Sequence, residues 1–229
     1  MSCDPSCVIL FVKAPAAGQV KTRLARHLGA SAAAELYRCF VNDLIRKIDA
    51  ASLVLRIFYD PPDAEAAIKS WLGENRAYAP QTGGDLGERM KQAFQQVFSA
   101  GIEQAVLVGS DLPDLPGSFI TEALAVLNNS PAVIGPSRDG GYYLIGFRAN
   151  AFMPTVFNNV PWSSDRVLQT TLKRFAAAGL PIRQIPEWRD IDTQEDLLDL
   201  LASLKKHPEN ALETFAYLQK TGRKKAGRY

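Results

Sequence analysis

Histidine is nearly absent from this 229-residue chain, which has only His27 and His207. Neither falls into an arrangement with a serine or cysteine and an acid, which argues against hydrolysis by a nucleophilic triad. Cysteine is scarce as well. Cys3, Cys7 and Cys39 are an odd number without framework spacing, so disulfide stapling is not expected. Cys3 and Cys7 would make half of a zinc site, but no second Cys/His pair follows them. No apolar run reaches the ~20 residues of a membrane span, and the N-terminus carries no secretory pattern. The expectation is a cytoplasmic protein with no membrane span. Also missing are a G-K-[ST] phosphate loop, a G-x-G-x-x-G dinucleotide fingerprint, internal repeats and low-complexity linkers.

What is present is ordinary in bulk. A content of 47% hydrophobic and 22% charged residues suits a single α/β domain over residues 1–229. The net charge of +2 is unevenly placed: seven Lys/Arg between 205 and 229 face only Glu209 and Glu213. The rest of the chain is therefore mildly acidic, which speaks against a nucleic-acid partner. The basic end reads as a solvated tail, with 221–229 expected to lack structure.

Apolar runs at 8–12, 53–59, 104–108, 132–135, 142–147 and 182–185 read as strands, and 76–79 as a short strand or turn. Between them, helical spacing covers 20–28 (interrupted by Gly29), a helix capped by Ser31, then 63–72, 85–100 with Leu86, Met90 and Phe94 inward, 116–127, 165–178 and 193–204. Repeated β–α alternation over the first two-thirds implies a mostly parallel sheet covered by helices. Back-to-back strands after Gly140 imply one antiparallel strand in a mixed sheet.

Chemistry concentrates where strands hand over to loops. Residues 13–24 join the first strand to the first helix, with Lys13, Lys21 and Arg23 around the helix N-terminus. Two phosphates need that combination of cations and free backbone N–H groups. The loop carries Ala14, Pro15 and one glycine, Gly18; the same letters also suit a helix that simply displays basic residues. Arg23 fits bidentate phosphate binding and Lys21 a point charge. Asp111 follows the buried run 105–108, at the strand end where open parallel sheets place their ligands. A second acidic stretch is Asp190-Ile191-Asp192-Thr193, in which Asp192 is taken as the inward acid and Asp190 as structural. Two carboxylates ~4 Å apart repel by about 4 kcal/mol at a protein-like dielectric, and a cation reverses that sign. Oxygen ligands beside a phosphate favour Mg²⁺ or Mn²⁺. Turn and helix-cap roles explain Asp111 and Asp192 singly.

Three further features have double readings. Asp139-Gly140-Gly141-Tyr142-Tyr143 offers either an acceptor-side acid or base at Asp139, or a hairpin turn. Gly84, Asp85 and Arg89 open a helix whose first turn could receive a base or ribose; Asp85 and Glu88 equally spell a capping box. Trp162 offers a wall for a sugar, or core packing.

These motifs, in this order, resemble a family of bacterial glycosyltransferase-like proteins with the nucleotide-diphospho-sugar transferase (GT-A) fold. Some of its members are described as arsenosugar-biosynthesis glycosyltransferases. The likeness runs from about 8 to 205 through Phe11-Val12-Lys13-Ala14-Pro15, Gly18-Gln19-Val20-Lys21-Thr22-Arg23-Leu24, Gly84-Asp85-Leu86-Gly87-Glu88-Arg89-Met90, Gly109-Ser110-Asp111-Leu112-Pro113, Asp139-Gly140-Gly141-Tyr142-Tyr143 and Asp190-Ile191-Asp192-Thr193. The chain is also similar to 2-phospholactate guanylyltransferase and, more distantly, to molybdenum-cofactor guanylyltransferases. The resemblance implies a three-layer α/β/α fold in which Asp111 and Asp192 hold Mg²⁺ or Mn²⁺ on nucleotide phosphates ringed by Lys13, Lys21 and Arg23. The 13–18 loop replaces the G-x-G-x-R of nucleotidyltransferases, which weakens the case for a triphosphate. The leading expectation is a metal-dependent glycosyltransferase that joins a nucleotide-sugar to a small-molecule acceptor. Nucleotidyl transfer from a nucleoside triphosphate to a phosphorylated small molecule comes second, and a non-catalytic nucleotide-binding module third.

Overall fold

A computed structural model describes residues 6–226, with side chains up to Thr221. Seven strands form one sheet: β1 (Ser6–Lys13), β2 (Leu55–Asp60), β3 (Ala77–Pro80), β4 (Gln104–Val108), β5 (Ala132–Pro136), β6 (Tyr142–Arg148) and β7 (Ile182–Gln184). Their spatial order is β3-β2-β1-β4-β6-β5-β7, parallel throughout except for β6, which runs antiparallel to both β4 and β5. The expected lone antiparallel strand is thus β6, and the short 76–79 segment is the edge strand β3.

Burial on both faces explains why these runs are continuously apolar. Along β1, Val8, Leu10 and Val12 enter the core on one face, while Cys7, Ile9 and Phe11 enter the core on the other. The first face is covered by α2 (Ala30–Ala50), α3 (Glu65–Leu72) and α5 (Gly117–Leu127), the second by α4 (Leu86–Ser99) and α6 (Val167–Ala177). This is the three-layer architecture expected from the alternation. A third cluster joins α1 (Thr22–Leu28) and α2 to α7 (Gln194–Leu204) and α8 (Leu212–Ala226).

Several local expectations differ. Residues 208–226 are helical rather than a solvated tail: the N–H groups of Glu213 and Thr214 donate to the buried Asp43 of α2 at 3.0 and 2.8 Å. Residues 227–229, the end of the expected tail, lie outside the described residues, as does Cys3. Gly29, not Ser31, precedes α2, and no side chain caps it. Nor does Asp165 begin a helix, since α6 starts at Val167 behind a turn. Among the described residues no helix is long and apolar enough to cross a membrane.

The chain leaves β1 toward β2 and β3 on one side, then returns past β1 to β4 on the other. That reversal of strand order opens a crevice beyond the carboxyl ends of β1 and β4.

Candidate active site

The crevice is a cleft of about 1030 Å³, lined by the ends of β1 and β4, the first turns of α1 and α4, the β5–β6 turn and the 162–165 loop. Lys13, Lys21, Arg23, Gly84, Asp85, Arg89, Asp111, Asp139 and Asp192 all line it. Ala14, Pro15 and Gly18 do not. Ala14 packs on the core and donates its N–H to Asp60 O at 2.7 Å, while Gly18 turns the loop with φ 82°.

Lys21 sits at the focus. It immediately precedes α1 in a left-handed conformation (φ 47°, ψ 44°), which costs a non-glycine residue roughly 1–3 kcal/mol. Val20 is buried before it and Leu24 after it, so the backbone is pinned from both sides. The side chain consequently drops beneath the strand ends, and the two cations part: Arg23 is exposed, whereas Lys21 is buried. The Lys21 ammonium lies 2.7 Å from Asp111 Oδ1 and 2.8 Å from Asp192 Oδ1, and donates to Ile191 O at 2.8 Å. Burial by itself would lower the pKa of Lys21, but the facing Asp111 and Asp192 charges more than offset it and hold the pKa above its ordinary value.

The two acids come from loops tied to each other. Ile191 N–H donates to Asp111 O at 3.0 Å, and Arg189 reaches Asp114 at 2.9 Å. Beneath Asp111, the Lys13 N–H donates to Tyr37 Oη at 2.9 Å, and that hydroxyl is 2.8 Å from Ser110 Oγ. Lys47 Nζ donates to Pro113 O and Leu115 O at 2.6 and 2.9 Å and so fixes the far side of the loop. Asp192 is set by a reciprocal capping box, in which Thr193 accepts from the Asp196 N–H and Asp196 accepts from the Thr193 N–H.

Asp190 corrects an expectation. It lines the cleft together with Asp192, while Ile191 between them is fully buried in the third cluster. Residues two apart on an extended chain share a face, so the choice between the two acids was a false one. Asp190 accepts from Ser137 Oγ at 3.3 Å. Burial, followed by the charge of Asp111, pushes its pKa up to about 7.

On the opposite wall, Asp85 caps α4 by accepting from Glu88 N–H at 2.8 Å. Glu88 does not reciprocate: its carboxylate receives Lys91 and Gln92 instead, so only half of the expected box forms. Arg89 pairs with Asp60 at 3.2 Å. Leu86, expected inward, is 46% exposed and faces the cleft. Asp139 accepts the Gly141 N–H at 2.9 Å within the β5–β6 turn and also lines the cleft. Trp162 packs so closely over Gly87 that a Cβ there would meet the indole at 2.6 Å; it is core-packed and a cleft wall at once.

Sequence reasoning missed Tyr37, Lys47 and Gln81. The first two are masked by the helical spacing of α2. Gln81 is buried and donates to Phe58 O at 2.9 Å across the strand ends; its position before the Gly83-Gly84 break was its only signal.

No group of three or more His, Cys, Asp or Glu side chains among the described residues is arranged to hold a metal alone. The Asp111–Asp192 pair nevertheless fits a magnesium-like ion, which uses one or two carboxylates and completes its shell with phosphate and water. Both carboxylates already converge on one cationic atom, and with side chains 40% and 44% exposed they remain open to the cleft.

A family model described as "Uncharacterized protein conserved in bacteria (DUF2064)" matches residues 44–164. A protein from Desulfovibrio desulfuricans G20, solved as a "putative nucleotide-diphospho-sugar transferase", is 42% identical, with 96% of each chain covered and a TM-score of 0.92. Two more distant likenesses bear on the fold alone. CMP:2-keto-3-deoxy-manno-octonic acid synthetase complexed with CTP has 12% identity and a TM-score of 0.56, over 89% of this chain and 100% of that one. A Mycobacterium tuberculosis H37Rv protein solved with manganese has 16% identity and a TM-score of 0.50, over 86% and 98%. No curated protein matches the chain. The fold is that of the nucleotide-diphospho-sugar transferases, and the chain belongs to the DUF2064 family of bacterial proteins.

Proposed function

We propose that the cleft binds a nucleotide-diphospho-sugar and transfers the sugar to a small-molecule acceptor. The observation that carries this reading is the convergence of Asp111 and Asp192 on a single cation position at the switch point of the sheet. Lys13 and Arg23 line the same cleft and have no ion-pair partner among the described residues, leaving two positive charges for a diphosphate. Asp111 and Asp192 would hold Mg²⁺ or Mn²⁺, whose chemistry when bound is to neutralise the departing diphosphate as a Lewis acid. Lys13 and Arg23 stabilise the same developing charge. Across the cleft, Asp139 commits one oxygen to the Gly141 N–H. Its other oxygen accepts the acceptor hydroxyl proton as the new glycosidic bond forms and the bond to the diphosphate oxygen breaks.

Thermal shift with a panel of nucleotide-sugars and nucleoside triphosphates, each with and without Mn²⁺, tests the proposal. The expected result is stabilisation by sugar diphosphates that requires the metal and disappears in Asp111→Asn. At a hundred times the Kd the bound ligand adds about 2.7 kcal/mol. A response confined to triphosphates would replace sugar transfer with nucleotidyl transfer, and no response to any would leave a non-catalytic module. Metal-dependent binding that survives Asp111→Asn removes the metal assignment.

A further inference from the structure

The ammonium of Lys21 has three N–H bonds, and three oxygens take them: Asp111 Oδ1 at 2.7 Å, with Asp192 Oδ1 and Ile191 O each at 2.8 Å. The side chain is 2% exposed and also lies against the Phe40 ring, 5.6 Å from its centroid. It has no donor left for a phosphate. Yet it occupies the point on which the Oδ1 atoms of both acids converge, and two cations cannot share that point. Metal and Lys21 therefore compete for the same two carboxylates. The ammonium can give them up at low cost only when another anion receives it, because a buried ammonium stripped of its partners is strongly destabilising.

We infer that Lys21 is the resident counter-ion of the acid pair, displaced jointly by a divalent ion and a diphosphate. Asp111 and Asp192 pass to the ion while the ammonium turns to the phosphate oxygens. This rests on the reading that the acid pair is the metal site. It follows that metal alone binds weakly, diphosphate alone binds weakly, and each raises the affinity of the other by the same factor. The lysine also keeps the two acids together before any ligand arrives, so the site is assembled in advance.

Mn²⁺ affinity, read from the loss of the free-ion electron paramagnetic resonance signal, tests this on the full chain without nucleotide. K21M, which leaves two carboxylates with no cation between them, should bind Mn²⁺ at least tenfold tighter than wild type. Equal or weaker affinity in folded K21M overturns the inference. In wild type, thermal shifts are measured with Mn²⁺, with inorganic pyrophosphate and with both, at concentrations corrected for their complex in solution. The joint shift should exceed the sum of the separate ones, and a joint shift no greater than that sum overturns the inference even if K21M does not fold. K21M/D111N separates the two levels. If it binds Mn²⁺ as tightly as K21M, the acid pair is not the metal site and the proposed function falls with the inference. A metal-dependent nucleotide-sugar shift in wild type with no gain in K21M sinks the inference alone.

Discussion

Lys47 shows how a single side chain, remote from the chemistry, holds the site in place. Its ammonium ties Pro113 O and Leu115 O, and therefore the loop that carries Asp111, to the last turn of α2. Burial lowers its pKa to about 8, with Asp114 and Asp43 only partly compensating and Arg46 adding to the fall. A lysine with a depressed folded pKa binds fewer protons folded than unfolded between about pH 8 and its unfolded value near 10.4. Stability should therefore rise with pH through that window. Urea denaturation of wild type and K47M should diverge by about 1 kcal/mol between pH 7.5 and pH 9, in favour of wild type. Other titrations cancel in the comparison, and a constant difference would mean that the ammonium is not desolvated. None of this was legible in the sequence, where Lys47 is one more polar residue on an amphipathic helix. Asp190 and Asp192 were legible as a pair, because residues two apart on an extended chain share a face.

At the scale of elements, the clearest signals are those in which one physical cause dominates. Doubly buried strands such as β1 and β4 announce themselves because no polar residue fits either face. Caps do not, because the letters fix only the candidates. Asp85 with Glu88 and Thr193 with Asp196 have the same spacing, but Glu88 finds Lys91 and Gln92 one turn on, whereas Asp196 has only Asp199 and Leu200 there, neither of them a donor. Lys21 was hidden for a similar reason: helical spacing cannot foresee a left-handed residue at the helix start. Glycine turns separate conformation from contact. Gly29 has φ 87° and ψ 151°, a backbone region open essentially to glycine alone, and nothing near its missing Cβ, so Gly29→Ala should cost only that backbone strain, roughly 1–3 kcal/mol. Gly140 has φ 86°, and its Cβ would also strike the backbone of Asp165, with the Cα at 2.6 Å. Gly140→Ala should cost at least about 2 kcal/mol more than Gly29→Ala, because overpacking adds to the strain. The two melting curves check this, and equal losses would mean that the β5–β6 turn and the 162–165 loop part freely.

For the molecule as a whole, the third cluster connects the chain's end to the cleft. Leu24 of α1, Phe40 of α2 and Ile191 between the two acids all belong to it, together with Leu197, Leu200 and Leu204 of α7 and Ala211 before α8. Phe40 touches Lys21 from below, and Ile191 supplies the carbonyl that Lys21 holds, so the floor of the site is this cluster. Phe215, Tyr217 and Leu218 of α8 pack against it, and Tyr217 Oη donates to Ala32 O at 3.1 Å. Asp43 of α2 is fully buried and relies on the first N–H groups of α8. Ending the chain after Lys206 would remove those donors, leave Asp43 with Arg46 at 3.1 Å as its partner, and expose apolar side chains each worth about 1.5–3 kcal/mol when fully buried. A solvated tail could be removed without effect; this segment cannot. The chain ended after Lys206 should lose about 5 kcal/mol or fail to accumulate as folded protein, and any that folds should bind Mn²⁺ and nucleotide-sugar more weakly. The chain ended after Thr221 keeps every contact named here and should unfold within about 1 kcal/mol of wild type in urea. Equal stability of the two shortened chains would mean that α8 is not part of the floor, and that the positions of Phe40 and Ile191 beneath Lys21 are maintained by α1, α2 and α7 alone.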